Sequence, residues 1–150
     1  MESDALDELR LLAGDQPWEL DLPGGGGHDL ITLSPLLEAC ISVTGGSGSG
    51  SKRLALAPIG LVNMLNAGGA VLACTLGAER GGGVWARIAA RGCGSFLAYA
   101  SSPPSAVEVD GAALEQGLVS WRERDGRLSF QLAPPAAGID MGVRCVVLRF

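Results

Sequence analysis

The chain has 150 residues, a length that suits one domain. Hydrophobic residues make up 47% and charged residues 18%, and the 23 glycines favour many turns over long surface helices. The formal net charge of -5 argues against nucleic acid as a partner, because the lysines and arginines form no basic patch. No run approaches the roughly 18 apolar residues of a membrane span, and the N-terminus lacks secretory features, so we expect a cytosolic protein.

The N-terminal part shows one helical pattern. Residues 4–12 have a capping residue at their start, leucines on one face and Gly14 as a stop signal, so we expect a short N-terminal helix there, or else a disordered segment. Next, residues 30–37 have the length and composition of a buried strand. Pro35 places that strand at a sheet edge or ends it.

The middle of the chain predicts short strands separated by turns. Residues 45–51 alternate Gly and Ser and are typical of a linker loop. Pro58 should end or bend the strand over residues 53–57, since proline cannot donate a ladder hydrogen bond. Residues 66–69 (Asn-Ala-Gly-Gly) are a strong turn signal. The further strands predicted are residues 70–76, 83–90 and 95–100.

The C-terminal third predicts two hairpins, because Asp110-Gly111 and Asp125-Gly126 are dipeptides of type I′ turns. A two-residue loop at the second site pairs Arg124 with Arg127, Glu123 with Leu128, Arg122 with Ser129 and Trp121 with Phe130. That register puts Trp121, Leu128 and Phe130 on the core face, together with Glu123. The first hairpin groups Val107, Val109, Ala112 and Leu114. With a final strand over residues 143–150, the pattern predicts an all-β, antiparallel β-sandwich.

Two motifs at first suggest chemistry. Residues 45–52 are a near miss for a phosphate-binding loop, because Ser51 separates Gly50 from Lys52 and no βαβ unit surrounds them. A linker is the favoured interpretation. His28 beside Asp29 could be a catalytic pair, but no nucleophile motif accompanies it, and a solvated loop histidine is favoured.

Acidic, aromatic and cysteine residues are further candidates for a functional site. Four carboxylates are candidates for a glycosidase-type pair, but two are explained by their turns, and Glu123 is a structural oddity on the core face: Asp110, Glu115, Glu123 and Asp125. Core packing is favoured for the tryptophans Trp18, Trp85 and Trp121, although Trp85 could instead be an exposed sugar platform. The four cysteines lack metal or redox spacing and are expected to be buried, reduced hydrophobes: Cys40, Cys74, Cys93 and Cys145.

Several segments resemble the C-terminal region of plant raffinose synthases, seed imbibition proteins and alkaline α-galactosidases. Residues 56–71 read LAPIGLVNMLNAGGAV, similar to the family segment FAPIGLVNMLNSGGAV. Residues 90–96 (ARGCGSF) and 98–103 (AYASSP) are similar to the family patterns VRGCGxF and AYSSxxP, and residues 29–35 resemble a strand ending in TVSP. The resemblance covers residues 29–150, which we expect to form the β-sandwich domain, while residues 1–28 match poorly.

The resemblance implies a parent enzyme with a catalytic (β/α)-barrel, in which two carboxyl groups transfer a galactosyl group from galactinol to sucrose. No position of this chain matches those catalytic motifs. The chain is therefore expected to be an accessory, non-catalytic fragment or truncated copy, with no catalytic, metal or cofactor residues. The expected partner is the barrel, in the parent enzyme or in a separate chain. The alternatives are a stand-alone carbohydrate-binding module for galactosyl oligosaccharides or a fragment of an α-galactosidase.

Overall fold

The computed structural model describes residues 9–12, 14, 17, 19, 31–43, 50–62, 66–79, 83–134 and 142–150. Within them the strands are, in chain order, β1 Leu37–Val43, β2 Gly50–Leu61, β3 Val71–Ala78, β4 Val84–Arg91, β5 Gly94–Ala100, β6 Ala106–Val109, β7 Ala112–Ala113, β8 Val119–Arg122, β9 Arg127–Leu132 and β10 Val143–Arg149. Two short 3-10 helices cover Ala67–Ala70 and Gln116–Leu118. Among the described residues, no helix is long and apolar enough to span a membrane.

The strands form two antiparallel sheets of five strands each. One sheet has the order β1-β2-β5-β9-β8 and the other the order β3-β4-β10-β6-β7. Within the described residues every strand pairing is antiparallel, as expected for short strands joined by tight turns. The prediction of an all-β sandwich is therefore confirmed.

The core lies between the sheets and follows from strand alternation. On β4 every second residue is buried, beginning with Val84. The opposing sheet contributes buried side chains from three strands, including Leu56, Phe96 and Phe130. The rings of Phe96 and Phe130 stack with centroids 5.1 Å apart. Because side chains on a strand point to alternate faces, this period of two is what buries one face of each sheet.

The first strand lies later in the chain than predicted. Strand β1 begins at Leu37, whereas residues 31–36 have no regular secondary structure. Pro35 explains the difference, since a proline has no amide hydrogen for a ladder bond and the pairing starts beyond it. The predicted strand over residues 30–37 is therefore wrong over its described residues except at Leu37, and the segment that does pair, β1, is the outer strand of its sheet.

Strand β2 continues through Pro58 instead of ending there. Pro58 pairs with Ala98 of β5, and the register shifts between Pro58 and Gly60 in an irregularity of the bulge type. Strand β1 pairs with β2 only as far as Leu56, so the missing amide hydrogen of Pro58 leaves no strand partner unsatisfied. Its carbonyl accepts a hydrogen bond from the Ser34 hydroxyl at 2.6 Å. The predicted bend is present and the predicted end is not.

The first predicted hairpin is confirmed. Asp110 and Gly111 have φ of 52° and 82°, and Val109 pairs with Ala112 across them. Positive φ at both central residues is the requirement of a type I′ turn.

The second hairpin has a different register. Arg122 pairs with Arg127 and Trp121 with Leu128, so the loop spans four residues, 123–126. Only Gly126 of the Asp125-Gly126 pair has positive φ, which excludes a type I′ turn there. The shift is two residues, so Trp121 keeps its core-facing side, and Glu123 moves into an exposed loop. The apparent oddity of Glu123 on a core face was an error of register.

The helix expected over residues 4–12 falls largely outside the described residues. Residues 9–12, at its end, are described without helical structure.

Candidate functional site

Some candidates named from the sequence lie outside the described residues. These are Trp18, His28 and Asp29. Residues 44–49 of the glycine-serine loop are outside them as well, and its last residues belong to β2. The strands on either side of it, β1 and β2, are antiparallel neighbours, whereas a phosphate-binding loop requires a strand followed by a helix.

Asp110 holds its hairpin against the neighbouring strand β10. Its carboxylate accepts a hydrogen bond from the backbone N–H of Cys145 at 2.8 Å and forms an ion pair with Arg144. Partial burial alone would raise the pKa of Asp110, but these two partners together outweigh it and lower the pKa below its ordinary value. The contacts explain Asp110 as a structural residue.

Asp125 has a similar role in the loop between β8 and β9. Its carboxylate accepts a hydrogen bond from Arg122 Nε at 2.9 Å and a longer one from the backbone N–H of Arg127 at 3.3 Å. The Arg122 hydrogen bond is the main reason why the pKa of Asp125 is lowered. Asp110 and Asp125 belong to hairpins of different sheets, and Glu115 and Glu123 are exposed, so these candidates do not form a carboxylate pair across one site.

The two described tryptophans both pack against protein. Trp121 packs on the core and donates its indole N–H to the carbonyl of Ala100 at 3.0 Å. The Trp85 ring lies across Gly77, where an added Cβ would come within 2.2 Å of the ring, and the Arg87 guanidinium lies 5.5 Å from the ring centroid. Trp85 thus packs on the outer face of its sheet and is partly exposed, so the prediction that it belongs to the core is wrong.

The cysteines are less buried than expected. Cys40 is exposed, and Cys74, Cys93 and Cys145 are partly buried; none of them forms a disulfide. Cys40 departs from the expectation because it lies opposite Arg53 on the outer face of an edge strand. Cys74 faces the core, and burial raises the pKa of its thiol to about 11. The described residues contain no group of three or more histidine, cysteine or acidic residues that could hold a metal ion.

A groove of about 340 Å³ lies against the first sheet, where β5 meets the β8–β9 loop. We call it the Tyr99 groove; its lining residues are Leu9, Arg10, Leu11, Tyr99, Ser101, Glu123, Arg124, Asp125 and Gly126. No sequence pattern predicts this groove, because Tyr99 and the loop residues are more than twenty positions apart in the chain. The only local hint of the groove is that Tyr99 is an aromatic residue on a strand and that the residues on either side of it, Ala98 and Ala100, are buried.

The protein is an all-β sandwich domain. Of its candidate carboxylates, Asp110 and Asp125 stabilise turns, and Glu115 and Glu123 are exposed without forming a pair with another carboxylate. The chain belongs to the family described as "Raffinose synthase or seed imbibition protein Sip1", whose model matches residues 22–132.

Curated relatives agree with this assignment. The chain is 38% identical over 130 residues to a galactinol–sucrose galactosyltransferase of Oryza sativa subsp. japonica, which covers 81% of this chain and 15% of the relative. It is 44% identical over 88 residues to the Pisum sativum protein of the same name, and the match covers 58% of this chain and 9% of the relative. A probable galactinol–sucrose galactosyltransferase 5 of Arabidopsis thaliana is 33% identical over 111 residues, and the match covers 69% of this chain and 12% of the relative. The chain thus matches a small part of much longer proteins.

Proposed function

We propose that this chain is an accessory, non-catalytic β-sandwich of a raffinose synthase-like enzyme, whose catalytic part transfers a galactosyl group from galactinol to sucrose. The reaction is taken from the names of the relatives, of which this chain matches 15% or less. The expected partner is the catalytic barrel of such an enzyme.

One observation carries the non-catalytic assignment. A retaining glycosyl transfer needs two carboxyl groups about 5 Å apart, one as nucleophile and one as acid. In the part of the chain that the structure describes, no acidic side chain is buried. Asp110 and Asp125 are each committed to an arginine in separate hairpins.

The accessory role is supported by a strip with inverted polarity before β1. Along residues 31–36 the apolar side chains of Ile31, Leu33 and Leu36 are 40%, 73% and 42% exposed. Between them, Ser34 turns inward to donate a hydrogen bond to Pro58. An extended segment normally buries its apolar side, so this arrangement is typical of a surface that packs against another domain.

A direct assay tests the absence of chemistry. The purified 150-residue chain is incubated with galactinol and sucrose, and raffinose is measured by chromatography, with the full-length rice relative as positive control. We expect no raffinose from the chain alone. Raffinose formation that survives removal of any contaminating full-length enzyme would overturn the proposal.

A binding assay tests the docking strip. The chain is co-expressed with the rice relative from which the matching region has been removed, and the complex is captured on a tag. We expect the double variant Leu33→Gln and Leu36→Gln to lose capture by about tenfold, since burying unpaired amides opposes association. Leu118→Gln is the matched control, because Leu118 is 54% exposed on a different part of the surface. Equal capture of all three proteins, or no capture of the unmodified chain, would contradict the role of the strip.

A further inference from the structure

We infer that the Tyr99 groove is a binding subsite for a neutral saccharide of one or two rings. This inference goes beyond the accessory role and rests on the proposed function only for the choice of test sugars. The groove volume of about 340 Å³ is at the lower end of small-molecule sites, which suits a ligand of that size.

The floor of the groove is a fixed aromatic ring. Tyr99 lies on the outer face of its sheet, since the residues on either side of it, Ala98 and Ala100, belong to the core between the sheets. Its ring packs against Gly126, where an added Cβ would be 2.5 Å from the ring. The loop is bonded to β5 through the Ala100 N–H and the Gly126 carbonyl at 2.8 Å, and Trp121 donates to the Ala100 carbonyl. The Tyr99 ring is thus held in place before any ligand arrives, which lowers the entropic cost of binding.

The polar groups beside the ring carry opposite charges. Glu123 and Arg124 are adjacent and exposed in the four-residue loop, and Arg124 lies close enough to Asp125 to help lower the pKa of that carboxyl. Asp125 next to them is committed to Arg122. The loop therefore offers one strong acceptor and one strong donor side by side.

This combination selects the chemistry of the ligand. A hydroxyl group both donates and accepts, so adjacent sugar hydroxyls can bond the Glu123 carboxylate and the Arg124 guanidinium together. The apolar C–H face of a pyranose ring can pack on Tyr99. The lining holds two arginines, Arg10 and Arg124, and two carboxylates, Glu123 and Asp125, so an anion such as phosphate would meet no excess of positive charge. A purely apolar ligand would take water away from these charged groups without replacing its hydrogen bonds. A neutral saccharide can contact the Tyr99 ring, the Glu123 carboxylate and the Arg124 guanidinium at the same time.

Calorimetry and saturation-transfer NMR test the subsite on the full 150-residue chain, with sucrose and raffinose as probes. We expect a dissociation constant on the order of 1 mM, as is reasonable for a small shallow site. Tyr99→Ala should weaken binding about tenfold, and Glu123→Gln by about threefold to tenfold. Tyr99→Phe keeps the ring and should stay within about threefold of the unmodified chain.

Controls separate a lost site from a lost fold. Trp85→Phe changes the aromatic residue on the outer face of the other sheet and should leave sugar binding unchanged. Thermal unfolding of each variant verifies that it is folded. The subsite would be overturned if no binding is detected at sugar concentrations well above the millimolar range, or if the folded Tyr99→Ala variant binds sugar as tightly as the unmodified chain. Neither result bears on the proposed function, whose own failure would appear as raffinose formation.

Discussion

Gly60 shows how a single residue sets the path of the backbone in this sandwich. It has φ of +112° at the irregularity in β2, and a Cβ at this position would be 2.0 Å from the carbonyl oxygen of Ala67. The backbone of β2 thus packs directly on the 3-10 helix Ala67–Ala70. Any side chain would both strain the backbone and push the helix away.

We therefore expect Gly60→Ala to destabilise the fold by more than about 2 kcal/mol. Chemical denaturation followed by tryptophan fluorescence measures the loss. Gly117→Ala is the matched control, since Gly117 is exposed and nothing lies within 4 Å of its added Cβ. The control should change stability by less than about 1 kcal/mol. Comparable effects of the two substitutions would show that the close approach at Ala67 is unimportant.

The cysteines differ in a way that alkylation can measure. Burial raises the pKa of Cys74 from 9.0 to about 11, so in the folded protein its reactive thiolate is scarce at neutral pH. Cys40 is exposed. We expect iodoacetamide to modify Cys40 first and Cys74 only slowly, as read by mass spectrometry of peptides. Faster modification of Cys74 in the native protein would contradict its described burial.

The same thiol makes stability depend on pH. Below pH 9 both the folded and the unfolded chain keep the Cys74 proton; between pH 9 and about 11 only the folded chain keeps it. The free energy of unfolding should therefore fall as pH rises through this window. Cys74→Ala should flatten this part of the profile in denaturation experiments. If the free energy of unfolding of Cys74→Ala falls with pH as steeply as that of the unmodified chain, other groups cause the dependence.

Among the secondary-structure elements, the Asp110–Gly111 turn has two structural roles. It reverses the chain between β6 and β7 with positive φ at both residues, and its carboxylate ties the turn to β10 through Cys145 and Arg144. A turn dipeptide identified by its local preference is thus also a contact between non-neighbouring segments.

We expect stability to decrease in the order Asp110, Asp110→Asn, Asp110→Ala. Asparagine tolerates positive φ and can still accept the Cys145 hydrogen bond, but it loses the ion pair with Arg144. Alanine loses both and should cost about 1–3 kcal/mol. Thermal unfolding measures the series, and an alanine variant as stable as the asparagine variant would contradict it.

Because the pKa of Asp110 is lowered in the folded state, its contribution is present above the unfolded value of 3.8 and is lost as pH falls below it. The difference between Asp110 and Asp110→Asn should therefore shrink on acidification. Unfolding measured at neutral and at acidic pH tests this, and a constant difference would exclude the charge as its cause.

At the scale of the whole molecule, stability depends on the two sheets packing together. Phe96 is fully buried and Phe130 is 2% exposed, and their stacked rings join β5 and β9 within the core. Side chains of the other sheet, such as Ile88 and Leu148, complete the same cluster. The core is small and contains many alanines, so a few large side chains supply much of the buried apolar area.

Phe96→Ala should accordingly cost about 3–5 kcal/mol and lower the thermal unfolding temperature sharply. Val143→Ala, which removes apolar atoms from a side chain that is 64% exposed, is the control and should cost less than about 1 kcal/mol. Calorimetry compares the two variants. A small effect at Phe96 would mean that the core rearranges around the lost ring.

The fold class could be predicted from the amino-acid sequence, because alternation and turn residues are local signals. The Asn66 turn, the Asp110–Gly111 hairpin and the final strand all follow from such signals and are confirmed. The family resemblance carried by the segment at residues 56–71 is likewise confirmed. Each of these depends on residues close together in the chain.

Features that depend on residues far apart in the chain could not be predicted and are evident only in the folded protein. Pro58 remains in a strand because β1 stops short of it, and the β8–β9 loop has four residues because Asp125 bonds Arg122 and lacks the positive φ of a type I′ turn. The Tyr99 groove exists because β5 is next to β9 in the sheet, which brings Tyr99 to the loop that precedes β9. Local preference ranks conformations of a short segment, whereas strand order is fixed by the burial of side chains from the whole chain.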